Sequence, residues 1–280
     1  MSTTGGAVTV AIQGTAGSFS HKAALALIGA ETQIVPCRSF EDLFQTVADG
    51  AAARGVVPIE NSLAGSVHRN YDLLSEHSLH IVGETLVRVQ LCLIAPRGTT
   101  LSGLRSVHSH PVALAQCRKF FAEHPHLAQI PAIDTAGAVR DVLSRKTGDE
   151  AAIGSALAAE LYGGVVLQEN LEDHEENFTR FLAVERSAPA HAAGPKLSLV
   201  FSLTNKPGAL HEALGVFAGR GIDLTKLESR PLIGRPWEYR FYLDCIGPDG
   251  SQVADAVAEL ERLALSVRVL GAYQAARGLQ

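Results

Sequence analysis

Short apolar runs alternate with amphipathic stretches through the N-terminal part of the chain. Runs of strand length lie at Val8–Gln13, Thr32–Val35 and Gly55–Ile59, and between them apolar residues recur every three or four positions. The first pattern is typical of buried strands and the second of helices. The resulting β-α-β-α-β order is typical of a sheet that contains parallel strands, so the sequence predicts an α/β fold.

The alternation starts again after an extended segment at His80–Ala95, which predicts a second α/β lobe. Its predicted strands are Ser106–Ser109, Gln129–Ile133, Ala151–Gly154 and Val165–Gln168, and its predicted helices are Pro111–Ala122, Thr135–Ser144 and Ser155–Leu161.

A separate C-terminal domain is predicted after Arg186–Pro195, a linker-like segment rich in Ala with two Pro and a Gly. The pattern beyond it indicates the order βαββαβ, the ferredoxin-like plan. We therefore expect domains at residues 1–190 and 191–280. The predicted elements are strands at Lys196–Leu203, Leu224–Arg230, Trp237–Cys245 and Val267–Ala272, helices at Ala209–Ala218 and Gln252–Leu265, and a turn at Ile233–Pro236.

Polar residues follow the predicted strands where they end. The first strand leads into a loop at Gly14–Ser20 that opens a helix, and the third ends at Pro58–Ser62. Ligands of open α/β sheets bind outside the carboxyl ends of the strands, and a helix start favours anions. The loops at Gly14 and Asn61 are thus expected to face one crevice. For the first loop, the alternative is a simple turn with Ser20 as the helix cap.

The stretch Asn177–Phe181 places an amide, a hydroxyl and a guanidinium between aromatic rings. Because side chains alternate along a strand, Asn177 and Thr179 share one face while Arg180 points with Phe178 to the other. The alternative is a core strand whose polar groups only bond to neighbouring backbone.

Composition narrows the choice of partners. The net charge of −5 and the lack of a basic run argue against nucleic acid and anionic membranes as partners. Residues 1–6 do not resemble a signal peptide and no apolar segment is long enough to span a bilayer, so a cytoplasmic location is expected. The four cysteines are scattered singly along the chain and are expected to be small core residues. His108 and His110 lack a third ligand at the spacing of a metal site, so no metal is expected.

Several motifs together resemble those of bacterial prephenate dehydratases, monofunctional enzymes of phenylalanine biosynthesis. The resemblance extends over nearly the whole chain, and Thr15 and the run Thr135–Val139 depart from the family pattern. The motifs are Asn177–Phe181 (N-x-T-R-F), Pro58–Ser62 with Gly65 and Val67, the loop Gly17–Ser20, His110-Pro111 with Gln116-Cys117, and, in a module that resembles the ACT domain, Gly208–Leu210 and Glu228–Pro231.

This resemblance implies two lobes similar to periplasmic solute-binding proteins, followed by the ACT module. It implies conversion of prephenate to phenylpyruvate without cofactor or metal. Thr179 is expected to help the substrate hydroxyl leave, with Asn61 and Gln116 as donors; Glu60 is a candidate proton source if it is buried, and a surface carboxylate otherwise. The expected substrate-binding residues are Ser18, Phe19, Ser62, Thr135, Arg180 and Phe181.

The same resemblance implies feedback control by L-phenylalanine bound between ACT modules of a homodimer or homotetramer. The alternative is a module that serves only oligomerisation. Two other functions stay open, namely arogenate dehydratase and a catalytically silent small-molecule sensor. The expected phenylalanine-binding residues are Asn205, Pro207, Gly208, Ala209, Leu210, Glu228, Ser229, Arg230 and Pro231.

Overall fold

The computed structural model describes residues 7–187, 194–232, 234–247 and 250–276. It divides into two compact units, one of residues 1–67 with 86–181 and one of residues 68–85 with 182–280. No helix within the described ranges has the length and apolarity needed to cross a membrane. Most of the predicted linker and Ile233 of the predicted turn lie outside the described residues, and the expected division near residue 190 stays a prediction.

The first unit contains two lobes, and a mixed sheet forms the first of them. Its strands follow the order β2-β1-β3-β11-β5, and β1 pairs in parallel with both β2 and β3. Strands β5 and β11 contain residues of both units. The elements are β1 (Val8–Gln13), α1 (Phe19–Ile28), β2 (Thr32–Cys37), α2 (Phe40–Ala48), β3 (Arg54–Asn61), β4 (Gly65–Ser66), β5 (His80–Arg88) and β11 (Phe178–Glu185).

A second sheet forms the other lobe, with the order β10-β6-β9-β7-β8. Strand β7 pairs in parallel with β8 and β9, whereas β6 is antiparallel to its neighbours. This confirms the predicted two-lobed α/β architecture. The elements are β6 (Cys92–Ala95), a short 3-10 helix (Leu101–Gly103), β7 (Ser106–Ser109), α4 (Pro111–Ala115), α5 (Arg118–Glu123), β8 (Ala128–Pro131), α6 (Thr135–Arg145), β9 (Glu150–Gly154), α7 (Ala156–Tyr162) and β10 (Val165–Gln168).

The second unit contains the predicted βαββαβ module, which is confirmed. Its antiparallel sheet has the order β13-β14-β12-β15, and its helices α8 and α9 share one apolar core with that sheet. The elements are α3 (His68–Glu76), β12 (Lys196–Ser202), α8 (Ala209–Ala218), β13 (Asp223–Pro231), β14 (Tyr239–Ile246), α9 (Gly250–Leu263) and β15 (Ser266–Tyr273).

Segment 68–85 packs on this module through polar contacts. The Tyr242 hydroxyl donates to the Tyr71 carbonyl at 2.7 Å. The Arg268 guanidinium donates to the carbonyls of His77 and Leu79 at 2.9 and 3.0 Å. Because these bonds satisfy carbonyls around the end of α3, the segment and the module form one packed structure.

Two predicted elements are divided in the structure. The helix expected at Pro111–Ala122 breaks at Gln116–Cys117, where α4 ends and α5 starts. The break arises because the Asp173 carboxylate accepts the backbone N–H groups of Arg118 and Lys119, which creates a second helix start. The extended segment His80–Ala95 likewise divides into β5 and β6, which belong to different sheets.

Candidate active site

An amide and a hydroxyl from two neighbouring strands meet at the start of β11. The Asn61 Nδ2 group lies 3.0 Å from Thr179 Oγ1, 2.8 Å from Asn177 Oδ1 and 3.1 Å from the Phe178 carbonyl. Since Nδ2 carries two hydrogens, three acceptors share them. The contacts to both Asn177 and Thr179 confirm that these two side chains point to the same face.

Backbone donors fix which way the Asn61 amide points. Its Oδ1 accepts the N–H groups of Leu63 and Ala64 at 3.0 and 2.8 Å. An oxygen is required there, so Nδ2 must face Thr179. The Thr179 oxygen therefore accepts a hydrogen bond, and its own hydrogen donates to none of the residues that the structure describes.

Gln116 joins this network from the other lobe. Asn177 Nδ2 donates to Gln116 Oε1 at 3.2 Å, and the Asn177 side chain is fully buried. Gln116 occupies the corner between α4 and α5, a position that the predicted continuous helix does not provide. The structure thus brings together three of the predicted residues, Asn61, Gln116 and Thr179.

Ser62 forms hydrogen bonds that join the end of β3 to the start of β11. Its hydroxyl donates to the Glu176 carbonyl at 2.8 Å and accepts the Phe178 N–H at 2.9 Å. Its own N–H donates to the Phe178 carbonyl at 2.8 Å. These bonds use the hydroxyl to hold the two strand ends together, and the expected substrate contact of Ser62 stays a prediction.

Arg180 and Glu60 form a partly buried ion pair. Arg180 Nη1 lies 4.0 Å from Glu60 Oε2, and the exposed fractions of the two side chains are 9% and 35%. Glu60 is therefore not enclosed, and the burial on which its role as proton source depended is absent. Its participation in the reaction stays a prediction.

The loop at Gly14–Ser20 forms hydrogen bonds with the start of α1. The Ser18 hydroxyl caps α1 by accepting the His21 N–H at 3.2 Å, and the Gly17 N–H donates to His21 Nδ1 at 3.0 Å. Ser18, not Ser20, is thus the helix cap. Gly17 has a φ of +86°, and a Cβ there would lie 2.8 Å from the Ala158 Cα, so only glycine fits. The N–H groups of Gly14, Gly17 and Ser18 therefore have acceptors within the chain, and the expected anion site in this loop stays a prediction.

Two aromatic rings predicted to contact substrate belong to apolar cores. Phe181 is 2% exposed and packs with Val10 and Ile12. Phe19 is half-buried against the cores of both lobes. The expected substrate contact of Phe181 is corrected for this reason. Thr135 is the first residue of α6, where Asp134 supplies the cap, and its substrate contact stays a prediction.

A cavity of about 220 Å³ adjoins the amide network. Three residues that the sequence did not single out, Arg118, Asp173 and His174, line it together with Gln116 and Asn177. Burial alone would raise the pKa of Asp173, but hydrogen bonds from the backbone of Lys119 and from Arg118 outweigh burial and hold this pKa below 3.8. Asp173 is thus a carboxylate at neutral pH. The run of acidic residues between Glu169 and Glu176 gives no sign of these contacts, which join Asp173 to residues 54 and 55 positions away.

The two histidines that resemble a metal pair have other partners. His110 Nδ1 accepts the Val112 N–H at 3.2 Å and caps α4. His108 Nε2 lies 3.3 Å from Ser106 Oγ and 3.6 Å from Glu150 Oε1, and burial lowers the pKa of His108. In the described part of the chain, no three His, Cys, Asp or Glu side chains gather as around a metal ion.

In the second unit, the two segments expected to bind phenylalanine differ in whether their polar groups already have partners within the chain. Gly208 has a φ of +83° and supplies no side-chain cap to α8, so the helix start is open. In contrast, Glu228 Oε1 lies 3.2 Å from His68 Nε2, and Arg230 Nη2 donates to Asp72 Oδ2 at 2.8 Å. These two side chains are bound within their own chain, and their expected contact with phenylalanine stays a prediction.

The other expected regulatory residues are exposed or form the helix start. The side chains of β13 alternate between exposed and half-buried, and Ser229 and Pro231 are exposed. Asn205 and Pro207 are exposed in the loop before α8, whereas Ala209 is buried and Leu210 half-buried.

Comparison with known proteins agrees with this architecture. The family model for prephenate dehydratase matches residues 10–189, and that for the ACT domain matches residues 197–265. The arogenate dehydratase/prephenate dehydratase 2 of Arabidopsis thaliana chloroplasts is 42% identical over 96% of this chain and 73% of its own length. Because this relative is a plant enzyme, the bacterial monofunctional type is not singled out.

Two solved structures share the fold over nearly the whole chain. One is described as GqqA, a novel type of quorum-quenching acylase, with 37% identity, a TM-score of 0.87 and coverage of 96% of this chain and 98% of that one. The other is the prephenate dehydratase of Arthrobacter aurescens in complex with L-Phe, with 35% identity, a TM-score of 0.85 and coverage of 96% and 90%. The chain belongs to the prephenate dehydratase family, and it is a decarboxylating dehydratase that carries a C-terminal ACT domain.

Proposed function

We propose that the protein converts prephenate to phenylpyruvate and that the Thr179 hydroxyl acts on the departing hydroxyl of the substrate. One observation carries this proposal. Asn61 Nδ2 donates to Thr179 Oγ1 at 3.0 Å, so the threonine oxygen is already an acceptor and its hydrogen is available to a substrate.

The chemistry requires little more than orientation and stabilisation of a leaving oxygen. The bond to the ring carboxylate breaks, its electron pair enters the ring, and the carbon–oxygen bond of the ring hydroxyl breaks with that group leaving as hydroxide. An aliphatic hydroxyl is a weak acid at neutral pH, so Thr179 stabilises the leaving oxygen by a hydrogen bond rather than by full proton transfer. Aromatisation of the ring provides the driving force.

Gln116 is the second donor in the proposal. Its Oε1 accepts from Asn177, whereas its Nε2 bonds to no described residue and the side chain lines the cavity. A neutral amide donates to a carboxylate or a hydroxyl without changing its own charge. Asn177, which bonds to both Asn61 and Gln116, holds the two amides in a fixed relation.

Arogenate is the alternative substrate, because the Arabidopsis relative is named for both activities. Arogenate differs only in an amine where prephenate has a keto group, and it gives phenylalanine rather than phenylpyruvate. A catalytically silent sensor is the other alternative. The monofunctional bacterial type, a cytoplasmic location and assembly as a homodimer or homotetramer belong to the proposal as well.

We also propose that L-phenylalanine regulates the enzyme through the ACT domain. The loop at 204–208 is exposed and leads into the uncapped start of α8, where backbone N–H groups suit a carboxylate. On β13, the exposed Ser229 and Pro231 are the free side chains of the expected binding segment. The structure of the Arthrobacter aurescens relative with L-Phe supports this choice of ligand.

The test compares kcat/KM for prephenate and arogenate, with phenylpyruvate and phenylalanine measured separately as products. We expect a higher kcat/KM for prephenate and no product from chorismate. A higher value for arogenate would replace the substrate assignment. If neither compound is converted while phenylalanine still binds, the protein is a sensor and the proposed activity is wrong. Sedimentation in the same buffers tests the oligomeric state.

A further inference from the structure

We propose that Arg118 is a substrate-binding residue whose guanidinium holds one carboxylate of the dianionic substrate. This role rests on the proposed function, because it presumes that a prephenate-like dianion binds beside Gln116 and Asn177.

The position of Arg118 is the first support. It is the first residue of α5, and it lines the 220 Å³ cavity together with Gln116 and Asn177. Its side chain is 77% exposed. Its Nε donates to Asp173 Oδ2 at 3.2 Å, whereas its two terminal nitrogens bond to none of the residues that the structure describes. The planar end of the side chain is therefore available to a ligand.

Asp173 holds the guanidinium in place. Its side chain is 6% exposed and accepts the backbone N–H groups of Arg118 and Lys119 at 3.2 and 2.9 Å. The Asp173 N–H donates to the Gln116 carbonyl at 2.7 Å, so one residue fixes both Arg118 and Gln116. A guanidinium held at Nε still presents two parallel donors, which match the two oxygens of a carboxylate.

Among the cations near the cavity, Arg118 is the one placed to bind a substrate carboxylate. Arg180 is 7% exposed and faces Glu60, so it is not an open site for a carboxylate. The other carboxylate in the cavity wall, Glu172, accepts the Leu91 N–H at 2.8 Å and has Arg88 at 3.5 Å. A dianion that enters next to Gln116 thus meets Arg118 as the exposed cation of the cavity lining.

The experiment compares Arg118→Gln and Arg118→Lys with Lys119→Gln. The control removes the same charge from the adjacent residue, whose side chain does not line the cavity. Lys119→Gln loses the bond from Nζ to the Asp173 carbonyl at 3.1 Å but keeps its backbone N–H bond to the Asp173 carboxylate. We expect Arg118→Gln to raise KM for prephenate roughly 10- to 100-fold, the range for a lost hydrogen bond to a charged group, with kcat within about twofold. Arg118→Lys should give a smaller rise because an ammonium lacks the two parallel donors.

A second readout is the salt dependence. Adding NaCl should raise KM of the wild type and of Lys119→Gln more steeply than KM of Arg118→Gln. A KM of Arg118→Gln close to that of the wild type, or equal changes in Arg118→Gln and Lys119→Gln, would overturn the assignment. So would a fall in kcat at unchanged KM. These results leave the proposed function intact, whereas a wild type that converts neither prephenate nor arogenate refutes that function itself. Thermal unfolding of each variant checks that the fold is retained.

Discussion

Asn61 and Thr179, separated by 118 positions in the chain, are joined by a 3.0 Å hydrogen bond from the asparagine amide to the threonine hydroxyl. Because two backbone N–H groups hold the amide oxygen, the direction of this bond is fixed. The Thr179 hydroxyl can either donate or accept, and this bond makes it an acceptor whose own hydrogen donates to none of the described residues.

Asn61→Asp tests the direction of that bond. The aspartate keeps an oxygen for the N–H groups of Leu63 and Ala64, but its second oxygen would accept the Thr179 hydrogen. We expect the fold to persist and kcat to fall roughly 10²- to 10³-fold, the scale for losing one transition-state donor. Asn170→Asp is the control, since Asn170 contributes only its Oδ1 to its contacts with Arg88 and Gln90. Near-normal turnover of Asn61→Asp would contradict the role given to the amide.

Lys196→Met tests the buried ion pair of the second unit. Lys196 Nζ lies 2.8 and 2.9 Å from the two oxygens of Glu84, and the side chains are 8% and 3% exposed. Removing the lysine leaves a buried carboxylate without its cation, so the free energy of unfolding should fall by about 3–5 kcal/mol in urea titrations. The double variant Glu84→Gln with Lys196→Met should recover part of this loss. If the single variant is as stable as the wild type, the pair does not stabilise the unit.

Ser229→Ala tests the phenylalanine site. The Ser229 side chain is exposed on β13. Loss of its hydroxyl should raise the phenylalanine concentration that gives half-inhibition, and turnover in the absence of phenylalanine should not change. Thr225→Ala is a matched control, since it removes a hydroxyl from the same strand outside the expected binding segment. Equal inhibition of wild type and Ser229→Ala would contradict the assignment. Truncation near residue 190 is a poorer test, because it leaves Glu84 without Lys196.

The pH dependence of stability tests the role of His21. Burial lowers the pKa of His21 below 6.5, so the unfolded chain binds a proton more readily than the folded one. The stability that this histidine contributes is complete above about pH 6.5 and is lost as the pH falls toward the lower folded-state pKa. His21→Gln still offers an acceptor to the Gly17 N–H and does not titrate. Its Tm should therefore fall less than that of the wild type between pH 7.5 and pH 5.5, and parallel curves would contradict this account.

The sequence predicted those features that depend on local pattern. Helix α8 spans Ala209–Ala218, as its apolar spacing predicted, and the alternation of β11 placed Asn177 and Thr179 on one face. The motifs also identified Asn61 and Gln116, which the structure brings to the same network.

The break in the predicted helix Pro111–Ala122 depends on a contact between distant segments, which the sequence did not predict. The apolar pattern of Pro111–Ala122 is continuous, and only the carboxylate of Asp173 divides that helix and places Gln116 at a corner. That contact leaves no local signal in the sequence. The Gly14–Ser20 loop differs, because its bonds are local: His21 and Thr15 accept the N–H groups of Gly17 and Ser18.

The role of Thr179 is measured by the rate of phenylpyruvate formation from prephenate, compared at saturating substrate for wild type, Thr179→Ala and Thr179→Ser. We expect kcat to fall roughly 10²- to 10³-fold in Thr179→Ala, with KM little changed, and Thr179→Ser to recover part of the rate. A Thr179→Ala enzyme that forms phenylpyruvate at close to the wild-type rate would contradict this role.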